Sequence, residues 1–211
     1  MTAFNIVEET YEPDYDTFED IMIDIDEENG NSTILGTDTE PLVEGFETFW
    51  LNGTEYSLPM KYGEMDDIGF DLIDENEGLW FPPEYEETIF LTDDDGYDWL
   101  MVSVSNNTDE DLYLEDCVVD YIYVENPTVY DVFAEIPDFE FCDGITFDSG
   151  YNEVEAYLGT PYYYYENSSD DYYYEMFEWA YYGDDEMHFV SIDFYDGQMY
   201  SVTIEKKIYE E

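Results

Sequence analysis

The stretch 144–205 constrains the fold more than any other part of the chain, because one capped helix is followed there by aromatic-rich runs. Residues 150–158 predict a helix of about two to three turns. Val154 and Leu158 are four residues apart and therefore share one apolar face. Gly159 supplies the left-handed residue that commonly closes a helix. These local signals agree with one another, so a helix is predicted here.

Four runs that follow Pro161 are rich in aromatic and β-branched residues, which is typical of strands. They are 162–165, 172–180, 187–195 and 198–205. Asp196-Gly197 between the last two runs is a strong hairpin signal. Alternation places Val190, Ile192 and Phe194 on one face, where the helix can cover them. We therefore predict a helix lying across a four-stranded antiparallel meander.

The first half carries similar signals. Asn52-Gly53 joins two short aromatic runs and predicts a second hairpin. Residues 62–68 are predicted to form a helical turn that Gly69 closes. Three further runs are predicted as strands: 86–91, 98–105 and 117–125. Each half thus pairs a short Gly-terminated helix with strands that follow it.

The sequence therefore predicts the α+β class, with short helices packed on antiparallel sheets and two related helix-plus-meander units. The first unit is predicted at 44–126 and the second at 144–211. Residues 127–143 are predicted to be a connector, within which Pro127 and Pro137 flank the apolar segment 129–136. Residues 1–43 are highly charged with little periodicity, and we interpret them as an acidic linker or extended arm.

The charge balance limits the partners of this chain. There are 58 acidic residues against three lysines, which gives a formal net charge of -55. Such self-repulsion favours a soluble monomer. It argues against direct binding of nucleic acid, whose phosphates need cations, and against anionic membrane surfaces. The predicted partner is a protein with a basic surface, although a merely solvated surface explains the same charge.

No membrane insertion is predicted, since no apolar run approaches the roughly 20 residues that span a bilayer. Residues 1–6 lack the basic start of a signal peptide. The location is left open: extracellular or cell surface if a signal was removed, and cytoplasmic otherwise. No cofactor is predicted, and divalent cations are expected to bind only weakly. The acidic loops 92–98 and 24–30 do not fit the calcium-loop pattern.

Consecutive tyrosines in the second half form the candidate interaction surface, together with acidic neighbours. Its members are Tyr162, Tyr164, Tyr172, Tyr174, Tyr181, Asp170, Asp171, Asp184 and Asp185. Successive strand residues point to opposite faces, so one set of tyrosines can pack under the helix while the other stands in solvent. Exposed tyrosines offer rigid contact area with a polar tip. The alternative explanation for the many tyrosines is that tyrosine favours β-strands, without any role in binding.

No catalytic residue and no metal ligand are predicted, and the protein is not expected to be an enzyme. Cys117 and Cys142 can form a disulfide if the chain is secreted, or serve as small buried thiols. His188 is the sole histidine in the sequence and lies in the middle of a predicted strand. Two thiols and one distant histidine match no established metal-ligand spacing.

Several turn and cap motifs follow one another in a familiar order. They are 49–59, 65–69, 106–109, 114–118, 144–147 and 153–161. In this order they resemble uncharacterised surface lipoproteins of gut Firmicutes. The second half also resembles the fold shared by outer-membrane assembly lipoproteins and the β-lactamase inhibitory protein. The resemblance implies a tandem α+β binding module without catalytic residues, although the chain lacks a lipobox cysteine.

Two functions follow from these features. The first is a non-catalytic, highly acidic protein-binding module of surface or extracellular type. The alternative is a DNA-mimic inhibitor that occupies the basic nucleic-acid-binding groove of a restriction, CRISPR or repair protein. Carboxylates at positions i and i+2 of a strand stand about 6.8 Å apart on one face, comparable with successive phosphates. Carbohydrate binding by exposed tyrosines is a third, less specific hypothesis.

Overall fold

A computed structural model describes residues 31–35, 41–65, 70–72, 80–93, 100–129, 138–142, 144–169 and 172–209. Within these ranges there are sixteen strands and one α-helix. The strands are β1 (Asn31–Ile34), β2 (Thr48–Leu51), β3 (Thr54–Ser57), β4 (Met60–Lys61), β5 (Phe70–Leu72), β6 (Trp80–Phe81), β7 (Tyr85–Asp93), β8 (Leu100–Asn106), β9 (Leu112–Tyr113), β10 (Val118–Glu125), β11 (Phe139–Phe141), β12 (Ile145–Thr146), β13 (Tyr163–Ser168), β14 (Tyr173–Tyr182), β15 (Glu186–Tyr195) and β16 (Gln198–Ile208). The helix is α1 (Tyr151–Leu158).

The main structural element is a ten-stranded sheet with the order β1-β13-β14-β15-β16-β10-β8-β7-β5, in which β4 also pairs with β10. Its strand pairs are antiparallel. The last strand of the chain pairs with a strand of the first half, and Ile204 lies opposite Ile122. The strands of the two halves therefore form one continuous sheet. The domain boundaries proposed from the sequence stay a prediction.

A second layer covers one face of this sheet. It consists of a four-stranded sheet, ordered β12-β11-β2-β3, and the helix α1. The ring of Phe46 lies 4.6 Å from that of His188 on β15. Tyr151 of the helix stacks on Phe177 of β14 at 4.2 Å. We call this covered side the inner face, and the opposite side of the ten-stranded sheet the outer face.

The inner face forms a single apolar core with the second layer. Val190, Ile192 and Phe194 are almost fully buried, as the alternation of β15 predicts. The core joins residues of both halves of the chain, from Phe46 to Ile204. Burying large aliphatic and aromatic side chains stabilises a fold by roughly 1.5–3 kcal/mol each. The two layers are thus held together chiefly by this shared core.

The predicted α+β class is wrong, since the described residues are mostly strand with a single α-helix. The predicted helical turn at 62–68 appears only as a 3-10 turn at Tyr62–Met65, and positions 66–69 lie outside the described residues. The described residues therefore do not form two related helix-plus-meander units. The reason is that one eight-residue helix is too small to cover a sheet of this width, and short aromatic strands supply most of the second layer.

The local predictions with strong turn signals are confirmed. Asn52-Gly53 joins β2 to β3 with φ values of 50° and 76°. Asp196-Gly197 joins β15 to β16 with φ values of 51° and 82°. Two successive left-handed residues are what a tight hairpin turn requires. The predicted helix is also present, and it begins one residue later at Tyr151.

Replacing Trp179 by Phe is expected to loosen the helix from the sheet. Its indole Nε1 donates a 2.8 Å hydrogen bond to the carbonyl oxygen of Gly159, which directly follows the helix. A net loss of about 1–2 kcal/mol is expected, because one hydrogen bond and some buried volume disappear. Urea unfolding measures this loss. Trp80→Phe, at a site that is 55% exposed, is the control and should change stability less.

Candidate interaction surface

The outer face of the ten-stranded sheet is the candidate site. The strand register places phenols, hydroxyls and carboxylates on this face, where they alternate with the apolar residues of the inner face. Its tyrosines include Tyr121, Tyr123, Tyr165, Tyr174 and Tyr195. Its carboxylates include Glu86, Glu125, Glu178, Asp193 and Glu205. Acidic groups thus lie among aromatic rings on several adjacent strands.

Asp193 lies near the middle of the outer face. Its Oδ1 accepts a 3.0 Å hydrogen bond from the Tyr174 hydroxyl, and its Oδ2 accepts one of 2.5 Å from Ser201 Oγ. Burial raises the pKa of Asp193 to about 6, against the lowering effect of these two donors. Burial, followed by the charge of Asp193, also raises the pKa of Glu178. The two described donors to Asp193 are neutral hydroxyls, and no described side chain donates to the Glu178 carboxyl group. A nearby cation would therefore stabilise the ionised form of both groups.

A second carboxylate cluster surrounds Lys207. Its Nζ lies 3.1 Å from Glu86 Oε1 and 3.1 Å from Glu205 Oε1. Burial lowers the pKa of Lys207, but the contacts with Glu86 and the charges of Asp120 and Glu205 outweigh it, so the net shift is upward. All three lysines of the chain lie within the described residues. Lys207 is the lysine of this cluster, and Lys61 is paired on the same side of the sheet, opposite Val118.

Asp120 lies beside this cluster, at the irregular step of β10 between Val119 and Tyr121. It is 4% exposed, and among the described residues its Oδ1 has no hydrogen-bond partner. Burial raises the pKa of Asp120 to about 7, and the charge of Lys207 offsets only part of this effect. A carboxylate in this position is short of positive charge even with a lysine close by.

This arrangement of carboxylates and aromatic rings can interact favourably with a cation. Half-buried carboxylates form stronger pairs with guanidinium or ammonium groups than exposed ones do, because water screens them less. Tyrosine rings add cation–π attraction of roughly 0.5–2 kcal/mol. Among the described residues, no group of three His, Cys, Asp or Glu side chains is placed to hold a metal ion.

The sequence-predicted tyrosines do not share one surface. Tyr164 lies on the inner face, with its ring 4.9 Å from that of Phe177. Tyr181 is also on the inner face, where its ring lies 5.2 Å from that of His188. Tyr174 is on the outer face but is only 5% exposed. Strand pairing separates these side chains, because neighbouring tyrosines alternate between the two faces.

The other predicted members of the surface lie at strand ends. Tyr162 precedes β13 and is half-buried, and the ring of Tyr172 stacks on that of Tyr195 at 6.1 Å. Asp184 and Asp185 are exposed in the turn between β14 and β15. Asp170 and Asp171 lie outside the described residues. Their role in binding stays a prediction.

Sequence reasoning missed the carboxylates in the middle of the strands. Asp193, Asp120 and Glu178 were not distinguished from the many other acidic residues of the chain. The alternation of Ser191, Asp193 and Tyr195 with apolar neighbours was the available signal. It predicts that these residues share one face, but it cannot show that neighbouring strands bury them.

The two cysteines are buried free thiols in this structure and do not form a disulfide. Burial raises the pKa of Cys142 to about 12 and also raises that of Cys117. Thiols of this kind are poor nucleophiles. His188 is 5% exposed, and its Nε2 lies 3.0 Å from Glu186 Oε2 without hydrogen-bond alignment. It packs between aromatic rings as a core residue.

Comparisons with protein-family models, with curated proteins and with solved structures give no match. The resemblance to surface lipoproteins therefore stays a prediction. No helix among the described residues has the length and apolar character needed to cross a membrane.

Proposed function

We propose that this protein is a non-catalytic, highly acidic binding module of surface or extracellular type, and that it captures a protein with a basic surface. The observation that carries this proposal is the outer face of the sheet. There, the buried Asp120 and the half-buried Asp193 have raised pKa values and lie among phenols, and Lys207 is the lysine close to Asp120. The rest of the net charge of -55 extends the attraction to longer range.

The electrostatics of the outer face favour a partner that supplies cations. Asp193 and Glu178 lie on neighbouring strands, and after burial the charge of Asp193 is the second cause that raises the pKa of Glu178. An arginine placed between them would relieve this repulsion and donate two parallel hydrogen bonds to a carboxylate. The surrounding tyrosines supply rigid apolar contact at a small entropic cost.

A peptide probe tests the proposal directly. We suggest an octapeptide of alternating arginine and threonine, and a control in which glutamine replaces every arginine, with binding measured by calorimetry. Affinity for the arginine peptide should fall at least tenfold between 50 and 500 mM salt, because charge pairs are screened. Equal affinity for the two peptides would overturn the proposal.

The same binding is expected to strengthen as the pH rises from 5.5 to 8. Asp193, with a pKa of about 6, and Asp120, with a pKa of about 7, are largely protonated at the lower pH and ionised at the higher one. A cation binds only the ionised form well, so affinity should rise with pH and level off above about 7.5. Titrations at intermediate pH values locate the transition.

A double substitution, Asp193→Asn with Glu178→Gln, should weaken binding of the arginine peptide about tenfold, since two charge-assisted contacts are lost. The control with the same change in net charge is Asp109→Asn with Asp111→Asn, at two exposed positions between β8 and β9. If both pairs weaken binding equally, the outer face has no special role and only the overall charge matters.

The DNA-mimic function is retained as the alternative, and it shares the predicted dependence on salt. It differs in the class of partner. The target would be a nucleic-acid-binding protein, and duplex DNA would compete with this chain for the same groove. Once a partner protein is identified, competition by duplex DNA in the calorimetric titration distinguishes the two functions. Full displacement would favour the mimic, and no displacement would favour the general binding module.

A further inference from the structure

The ten-stranded sheet ends on a short strand that is weakly attached. All four residues of β1 are exposed, and Ile34 is 68% exposed. Leu35 continues the pairing through its amide, which donates a 2.8 Å hydrogen bond to the carbonyl oxygen of Tyr162. The side chain of Asn31 adds one long hydrogen bond, 3.5 Å, to Glu166 Oε1. Main-chain pairing therefore provides most of the attachment, and another extended segment could form similar bonds.

The neighbouring strand, β13, contributes one member of a pair of glutamates that contacts no positively charged side chain among the described residues. Glu166 lies directly opposite Glu175 of β14. The hydroxyl of Tyr164 lies 2.7 Å from Glu166 Oε2 and 3.1 Å from Glu175 Oε1. The Tyr173 hydroxyl also lies 3.3 Å from Glu166 Oε2, so two neutral phenols serve the pair and neither brings positive charge. Like charges directly opposite each other destabilise a sheet. The sequence of β1, Asn-Ser-Thr-Ile, brings no positive charge to this pair.

The pairing register shows which positions of an added strand would reach this acidic pair. Asn31 lies opposite Glu166 and Thr33 lies opposite Tyr164, so both residues of β1 share the face of the two glutamates. Ser32 lies opposite Tyr165, whose buried hydroxyl has no hydrogen-bond partner among the described residues. A strand with basic residues at the positions of Asn31 and Thr33 would place both charges beside Glu166 and Glu175.

We propose that β1 is a replaceable strand, and that the edge of β13 binds an extended segment of a basic partner with lysine or arginine at alternate positions. This inference rests on the proposed function for the class of partner, a basic protein. The acidic pair that it uses lies at the sheet edge on the side of Tyr164, so it adds a contact separate from those on the outer face. The incoming strand makes the same kind of main-chain bonds as β1 and adds two charge-assisted contacts. Being tethered, β1 competes at a high effective concentration and lowers the apparent affinity.

Weakening β1 should therefore strengthen binding. Neighbouring residues of a strand direct their N–H groups to opposite sides, so a proline at one of the positions Ser32 and Thr33 must remove a donor to β13. The variant Ser32→Pro with Thr33→Pro should bind the alternating arginine peptide about tenfold more tightly than the unmodified chain. The control, Ser32→Ala with Thr33→Ala, keeps these donors and should change affinity less than twofold.

Hydrogen exchange gives a second measurement. When the arginine peptide binds, the amides of 31–35 should exchange faster, while those of 163–166 stay protected by the new strand. Adding Glu166→Gln with Glu175→Gln to the proline variant should remove most of its gain in affinity.

Strand replacement is overturned if the proline variant binds no more tightly, or if exchange at 31–35 does not change on binding. In that case, a loss of affinity in the Asp193→Asn, Glu178→Gln variant would leave the outer-face proposal standing. Equal affinity of the unmodified chain for the arginine and glutamine peptides would instead reject the proposed function itself. The two failures are therefore distinguishable.

Discussion

Lowering the pH from 8 to 5 is expected to stabilise this protein against unfolding. The pKa of Asp120 is about 7 in the folded state, because burial disfavours its charged form, whereas its ordinary value is 3.8. The folded state therefore binds a proton that the unfolded state releases, and stability increases as the pH falls through about 7. A shift of about three units corresponds to roughly 4 kcal/mol as an upper figure. Asp193, with a pKa of about 6, contributes in the same direction.

The gain should end near pH 4.5. Burial tends to raise the pKa values of Glu47 and Glu86, but their lysine contacts outweigh it and give a net lowering. These two groups stabilise the fold while ionised, so their contribution is lost as the pH falls below their ordinary values. Urea unfolding as a function of pH should therefore show a maximum near pH 5.

Asp120→Asn isolates the contribution of one residue. At pH 8 this variant should be more stable by about 2 kcal/mol, because a neutral amide replaces a buried carboxylate that lacks a full set of partners. It should also show a flatter dependence on pH between 5 and 8. Asp109→Asn, at an exposed position, removes the same charge and controls for the general relief of repulsion. A loss of stability in Asp120→Asn at pH 8 would show that the carboxylate is well paired.

Lys206→Met is expected to destabilise the fold by about 3 kcal/mol, which is the scale for removing one partner of a buried ion pair. Lys206 Nζ lies 2.6 Å from Glu47 Oε1, and the two side chains are 18% and 17% exposed. This contact joins β16 to the segment that precedes β2. Oε2 of Glu47 is buried and has no hydrogen-bond partner among the described residues. Without the lysine, the whole carboxylate would be left uncompensated.

Lys61→Met provides the matched control. Lys61 also contacts a carboxylate, at 2.8 Å from Asp116 Oδ1, but these side chains are 58% and 50% exposed. Water screens such a pair, so only a small change in stability is expected. The double variant Glu47→Gln with Lys206→Met should recover part of the loss, because no buried charge is left alone. Equal effects at the two lysines would contradict a structural role for burial at Lys206.

The predictable parts of the fold were those with strong local signals. Gly197 and Gly53 provide left-handed turn residues, and the alternation around Ile192 fixed its face of the sheet. The fold class could not be predicted in this way, because it depends on long-range pairing. Nothing in the sequence near Ile204 indicates that it pairs with Ile122. Nor could the short aromatic run around Phe139 be assigned to a second layer before its partner strand β2 was known.

The candidate site was less predictable than the fold. In a chain with 58 acidic residues, the identity of a side chain does not indicate its importance. Asp193 and Asp109 have the same side chain, and only the tertiary environment of Asp193 raises its pKa. Tyr174 shows the same limitation, since its strand was predicted but its burial was not.

The positions of the lysines also determine how susceptible the folded protein is to proteases that cleave after basic residues. The chain has no arginine, and Lys206 and Lys207 lie within β16, where they pair with His188 and Met187 of β15. A strand held in this way cannot enter a protease cleft without local unfolding. The folded molecule therefore offers trypsin-like enzymes only the peptide bond after Lys61, itself in a paired strand. Resistance of the folded protein to tryptic digestion therefore follows from the strand pairing that holds its lysines.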